Sequence, residues 1–127
     1  MSATLLDRVK AYLQQDSLTA GYSIRFNRFT DKIMAGNSPF VLLRVQASGT
    51  GTELLQANDV LVQLVQNENQ TRAAADRMEQ IMAKARSTDT ETGLVRVDPV
   101  GNVRGPFYME NKRPMYELTL RAWTEDL

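Results

Sequence analysis

The side chains of this chain that could do chemistry are carboxylates, amines, guanidinium groups, phenols and hydroxyls, because it holds neither Cys nor His. Without Cys there is no thiolate nucleophile, no disulfide and no thiolate zinc or iron–sulfur site. Without His there is no Ser-His-Asp triad, no imidazole metal ligand and no near-neutral base. The carboxylates closest together in sequence are Asp89 with Glu91, in a polar stretch, and Glu125 with Asp126, at the C-terminus. Acid–base work needs two carboxyls held in unlike environments a few ångströms apart, and loop or tail positions leave them solvated. Their spacing is not that of an EF-hand. Ser48-Gly49-Thr50-Gly51-Thr52 has glycines but no Lys, so it lacks the phosphate-binding pattern and reads as a turn or hairpin tip. The sequence therefore predicts no catalytic residue, no cofactor and no metal.

One stretch has the composition of a contact surface. Arg96, Arg104, Lys112 and Arg113 flank Pro106-Phe107-Tyr108-Met109, framed by Gly101, Gly105 and Pro114. Cations beside aromatics suit single-stranded nucleic acid, but Asp98 and Glu110 interrupt the positive run. Lys plus Arg is 15, Asp plus Glu is 15, and the formal net charge is zero, so no whole-chain footprint for nucleic acid or an anionic membrane exists. Two readings stay open: Arg104, Phe107, Tyr108, Lys112 and Arg113 form a protein interface, or the aromatics cap the core.

The elements that must position these residues follow from periodicity. Leu5, Leu6, Val9, Tyr12 and Leu13 make one helical stripe, with Thr4 as a cap and Asp7 in the first turn. Arg8 and Lys10 read as a solvated face. Ser23–Phe29 alternates as a half-buried strand, and Thr30–Pro39 is a loop. Phe40–Gln46 is nearly continuous in apolar residues, as in a strand covered on both faces. Glu53–Asn67 fits a helical stripe or a strand; its β-branched residues and the glycines before it favour a long strand bulged near Asn58-Asp59. Thr71–Arg86 is a helix buried through Ala74, Met78, Ile81, Met82 and Ala85, capped by Asn69 or Thr71. Gly93–Val100 is a strand ending or bulging near Pro99, Gly101–Pro114 a long loop or hairpin arm, and Tyr116–Trp123 a clean strand. Its Tyr116, Leu118, Leu120 and Ala122 line one face.

The order is α-β-β-β-α-β-β. At 127 residues, this is one domain spanning 1–127, an α+β fold: a mostly antiparallel sheet of about five strands with two helices packed on one face. The N-terminus lacks a secretory-signal pattern, and no apolar run approaches the roughly 20 residues that span a bilayer. A cytoplasmic-type compartment is expected, with no membrane partner.

This order resembles the tail terminator (tail-completion) proteins of long-tailed bacteriophages. The likeness runs from about Leu5 to Trp123: a capped first helix, the Ser38-Pro39-Phe40-Val41-Leu42-Leu43 strand after a loop, a Gly-rich hairpin, a long strand, one amphipathic helix and a closing strand pair. The resemblance implies a structural subunit that closes with copies of itself into a ring, commonly a hexamer. The ring caps the last ring of tail-tube subunits, ends tube growth and offers the head-joining surface. The implied partners are the chain itself, tail-tube subunits and head–tail connector proteins, with no sequence-specific nucleic acid. The implied location is the host cytoplasm during assembly and then the virion tail. On this view the loop Thr30–Pro39, with Asp31 and Lys32, faces the tube, and Ala47–Thr52 is a second loop long enough to do so. The alternatives are a related head–tail connector protein and a small oligomeric α+β module that binds a ligand or regulates.

Overall fold

The computed structural model describes residues 5–15, 18–26, 38–51, 56–85, 94, 96–109 and 112–124. The elements are α1 (Leu5–Gln14), β1 (Ser23–Phe26), β2 (Phe40–Gly51), β3 (Gln56–Val65), α2 (Thr71–Ala85), β4 (Arg96–Tyr108) and β5 (Pro114–Thr124). This is the expected α+β order. The strands form one sheet in the order β1-β2-β3-β5-β4. Three of its strand pairs are antiparallel, and β1 runs parallel to β2, with Ser23 opposite Phe40 and Phe26 opposite Leu43.

The sheet is thus mostly antiparallel, as expected, with β1–β2 as its one parallel pair among the described strands. Parallel neighbours need a connection of about a dozen residues to return to the starting end, and the residues 27–39 supply it. Periodicity carries no record of how a connection returns, so the direction of β1 is not legible from the residues alone.

Both helices lie on one face of the sheet. From α1 come Val9, Tyr12 and Leu13, and from α2 the whole expected stripe of Ala74, Met78, Ile81, Met82 and Ala85. They close over Val41, Leu43, Val60, Val62, Leu64, Val97, Tyr116, Leu118, Leu120 and Ala122. Leu118 and Leu64 are fully buried, each worth about 1.5–3 kcal/mol of transfer free energy. The Tyr12 hydroxyl donates to the Lys84 carbonyl at 3.1 Å and joins the two helices. The first helical carbonyl of α2 is that of Gln70, which accepts from Ala74 N–H at 3.1 Å. The cap position is thus Gln70, between the two residues expected for it.

The period-2 alternation of β2 sends Phe40 and Leu42 to the opposite face. There they meet Val65, Met109 and Met115 in a second, smaller cluster. This confirms that the Phe40 strand is covered on both sides at its start. The bulge expected near Asn58-Asp59 lies across the ladder, on β2: Val45 pairs with Val60 and Ala47 with Asp59, so Gln46 is the extra residue. Ser48–Gly51, expected as a turn or hairpin tip, continues β2, its glycines having masked the strand. Of the two readings of Gly101–Pro114, loop or hairpin arm, the arm holds, since Gly101–Tyr108 continues β4 through Pro99 and pairs with β5. An edge strand tolerates Pro where its nitrogen faces outward, and β4 is at the sheet edge.

Candidate functional site: the hairpin end and the open sheet face

The β4–β5 hairpin is built around one close approach. Gly105 has φ +129°, and a Cβ placed on it would stand 2.8 Å from the Met115 carbonyl oxygen and 2.9 Å from Tyr116 Cδ1. Only glycine fits there, and it lets the arm lie flat on β5. Beyond it, Phe107 pairs with Met115 and Tyr108 with Pro114. The turn closes through Met109 N–H to the Arg113 carbonyl at 3.1 Å and Lys112 N–H to the Met109 carbonyl at 2.8 Å, with Lys112 left-handed at φ 64°.

The hairpin carries two outward aromatics on opposite faces. Phe107 is 44% exposed and Tyr108 62%. Tyr108 lies on the helix side, its hydroxyl 3.3 Å from that of Thr71 at the start of α2. Lys112 is exposed beside them.

Arg113 behaves differently. It is only 3% exposed. Its Nη2 donates to the Ser38 carbonyl at 2.7 Å and its Nε to the Gln66 carbonyl at 3.2 Å, while the guanidinium lies 5.3 Å from the centre of the Phe40 ring. Burial pulls its pKa below the ordinary guanidinium value. Arg113 thus ties the hairpin to the entry of β2 and to the β3–α2 connection. No signal in the sequence separates it from its exposed neighbour Lys112.

Arg104 sits further along β4, with Nη2 3.7 Å from Glu117 Oε1. It ends a row across the helix-free face: Arg44 Nη2 donates to Gln63 Oε1 at 3.2 Å, and Gln63 Nε2 donates to Glu117 Oε2 at 2.7 Å. A second row joins Asp59 to Arg121 at 2.9 Å and Asp98 to the Trp123 indole N–H at 3.1 Å. The hydrogen bond that Arg121 donates to Asp59 raises the Arg121 pKa. Solvent-screened pairs at a surface add little to stability. Their opposed charges answer one another within the face. These cross-strand rows were missed in the sequence, because their members are far apart in the chain and meet only through register.

The strand directions sort these features between two ends of the sheet. At one end lie Phe107, Tyr108, Lys112 and Arg113, together with Ser38. Asp31 and Lys32 themselves lie outside the described residues, as do Asp89, Glu91, Glu125 and Asp126. At the other end β2 and β3 approach their hairpin, with Gly51 opposite Gln56. Ser38 and Gly51, the described ends of the two segments considered for the tube contact, stand at opposite ends of the sheet. A shallow open groove at the corner of α1 and β1 is lined by Gln14, Thr19, Ala20, Gly21 and Tyr22. Among the described residues, no group of three or more acidic side chains could hold a metal ion.

The described fold is a two-layer α+β arrangement with an aromatic hairpin end and a self-paired polar sheet face. Residues 2–126 match the model of the phage tail termination protein family, and the chain belongs to that family. The family is a structural one, of the phage tail. A search of curated proteins finds no match to the chain. Among the described residues, no helix is long and apolar enough to cross a membrane.

Proposed function

We propose that this chain is a non-catalytic subunit that closes into a homo-oligomeric ring, a hexamer as the resemblance implies. The ring caps the tail tube, stops its growth and presents the surface to which the head is joined. Assembly takes place in the host cytoplasm, and the ring stays in the virion tail. Its partners are its own copies, the tail-tube subunits and the head–tail connector proteins.

The observation that supports this reading most is the pair of unlike ends on one sheet. A terminator has two stacked neighbours and must not offer both of them the same surface. One end here is aromatic and basic, through Phe107, Tyr108 and Lys112, and holds Ser38, which follows the Asp31 and Lys32 segment in the chain. The other is the Gly- and Thr-containing β2–β3 hairpin end, Ser48-Gly49-Thr50-Gly51-Thr52. The first end faces the tube in this proposal, and the second faces the head.

The test is tube growth in vitro. Purified chain added to its cognate tube subunits is expected to arrest elongation and to leave a ring at the tube end. Asp31→Lys and Lys32→Glu are expected to weaken capping with an unchanged melting curve, since rim charges tune association rate and specificity. Normal capping by both variants would move the tube-facing role to the β2–β3 hairpin. Tubes that elongate unchecked beside the unmodified chain would overturn the reading.

A further inference from the structure

We propose that neighbouring copies in the ring join head to tail, with Tyr108 of one copy seated in the α1–β1 groove of the next. The inference rests on the ring reading above and names the surface through which the ring closes.

Three observations carry it. The first concerns what the β4 edge cannot do. An exposed edge strand ordinarily invites another strand to pair with it, but this one holds Pro99 and Pro106 and shifts register between Val100 and Arg104 and again between Arg104 and Phe107. A proline in a ladder faces its nitrogen outward, so main-chain pairing along the edge is interrupted twice. Contact through this flank must be made by side chains, and Tyr108 is the most exposed large hydrophobic residue described.

The second concerns where the groove lies. It sits beside β1, and β1 and β4 are the opposite edges of the sheet. A contact between unlike patches on opposite flanks is heterologous, and it makes a ring if the rotation closes.

The third concerns height and face. Tyr22 accepts a hydrogen bond from Gln66 Nε2 at 2.8 Å, one residue past the end of β3, and Tyr108 pairs with Pro114 at the start of β5. Since Val65 is opposite Met115, groove and tyrosine share one end of the sheet. Both also lie on the helix side. A copy turned about an axis along the strands brings the two together with little rise, which favours a closed ring over a helical filament. The groove suits a phenol. Ala20 and Gly21 leave it shallow, with nothing within 4 Å of a Cβ placed on Gly21. Tyr22 and Gln14 line it, and the Gln14 amide offers a partner for the hydroxyl.

The chain has no Cys, so a designed cysteine pair reports this contact without background. Ala20 and Tyr108 are separated by about four strand spacings, or about 19 Å, whereas a disulfide tolerates a Cα separation of about 7 Å at most. An Ala20→Cys/Tyr108→Cys chain can therefore cross-link only between copies. Oxidised in concentrated solution and on tail tubes, it is expected to give a ladder of covalent species that ends in one closed oligomer. Each single variant should stop at dimers. Ala20→Arg, at an exposed position, should abolish rings without moving the melting curve. Rings seen by electron microscopy with no covalent ladder would overturn this contact and leave the ring reading standing. Absence of both rings and ladder, on tubes as well as in solution, would overturn both. Rings that persist in Ala20→Arg would also count against the contact.

Discussion

Replacing Arg113 by Met separates a structural clamp from a docking residue. Methionine keeps an unbranched apolar stem and deletes the guanidinium, along with its contact over the Phe40 ring. The wild-type side chain makes two hydrogen bonds to carbonyls, at 2.7 Å to Ser38 and 3.2 Å to Gln66. A hydrogen bond from a charged donor contributes about 1.5–3 kcal/mol, so the pair is worth about 3–6 kcal/mol. Relief of the cost of burying the charge returns part of this. The net loss should be about 2–4 kcal/mol. For a domain of 127 residues each kcal/mol moves the midpoint by about 4 °C, which gives a fall of about 8–16 °C. Differential scanning calorimetry measures it directly. Arg113→Lys should recover only part of the loss, because one ammonium cannot span both carbonyls in the geometry of the planar fork. A midpoint within about 1 °C of wild type for Arg113→Met would refute the reasoning. If such a stable variant also failed to assemble, the guanidinium would belong to an interface, as the sequence alone allowed.

Gly105→Ala should destabilise the chain by at least about 1–3 kcal/mol from backbone strain alone, and more through the 2.8 Å approach to the Met115 carbonyl; chemical denaturation reads the shift, and an unchanged midpoint would contradict the geometry. Met78→Ala, at a fully buried position in α2, should cost about 2–5 kcal/mol, whereas a loss under 1 kcal/mol would mean the helix does not pack as described. Burial raises the pKa of the Tyr22 and Tyr116 phenols above the ordinary 10.0. An acid whose folded pKa is raised keeps its proton in the folded state after the unfolded chain has lost it, so stability is full below pH 10 and falls as pH rises beyond it. Denaturant midpoints between pH 8 and pH 11, with phenolate absorbance alongside, check this; phenols titrating normally at a constant midpoint would contradict it. Turnover assays with phosphoesters, esters, glycosides and nucleotides should stay at background, and a rate lost on substituting one loop carboxylate would sink the non-catalytic reading.

What the sequence made legible was local. The α2 stripe appears as five apolar residues at helical spacing, and all five are buried. The β5 alternation assigns Tyr116, Leu118, Leu120 and Ala122 to one face, and these are the residues in the core. What stayed hidden depended on distance in the chain. The parallel setting of β1 is decided by how the connection returns, and no periodicity records that. Gly101–Tyr108 carries glycines and a proline that speak against strand, yet an edge position tolerates them. The composition around Phe107 and Tyr108 left two readings open, an interface or a cap on the core, and the fold leaves both side chains exposed. The burial of Arg113 was not legible, since it is created by Ser38, Gln66 and Phe40 arriving from three other parts of the chain. The groove at Ala20 and Gly21 left no composition signal at all.

Tail length tests the central claim most directly. In phage-producing cells from which this chain has been removed, electron micrographs of lysates should show over-long or headless tails, and supplying the chain in trans should restore a single tail length and joined heads. Tails of normal, uniform length with heads attached in the absence of the chain would contradict the account.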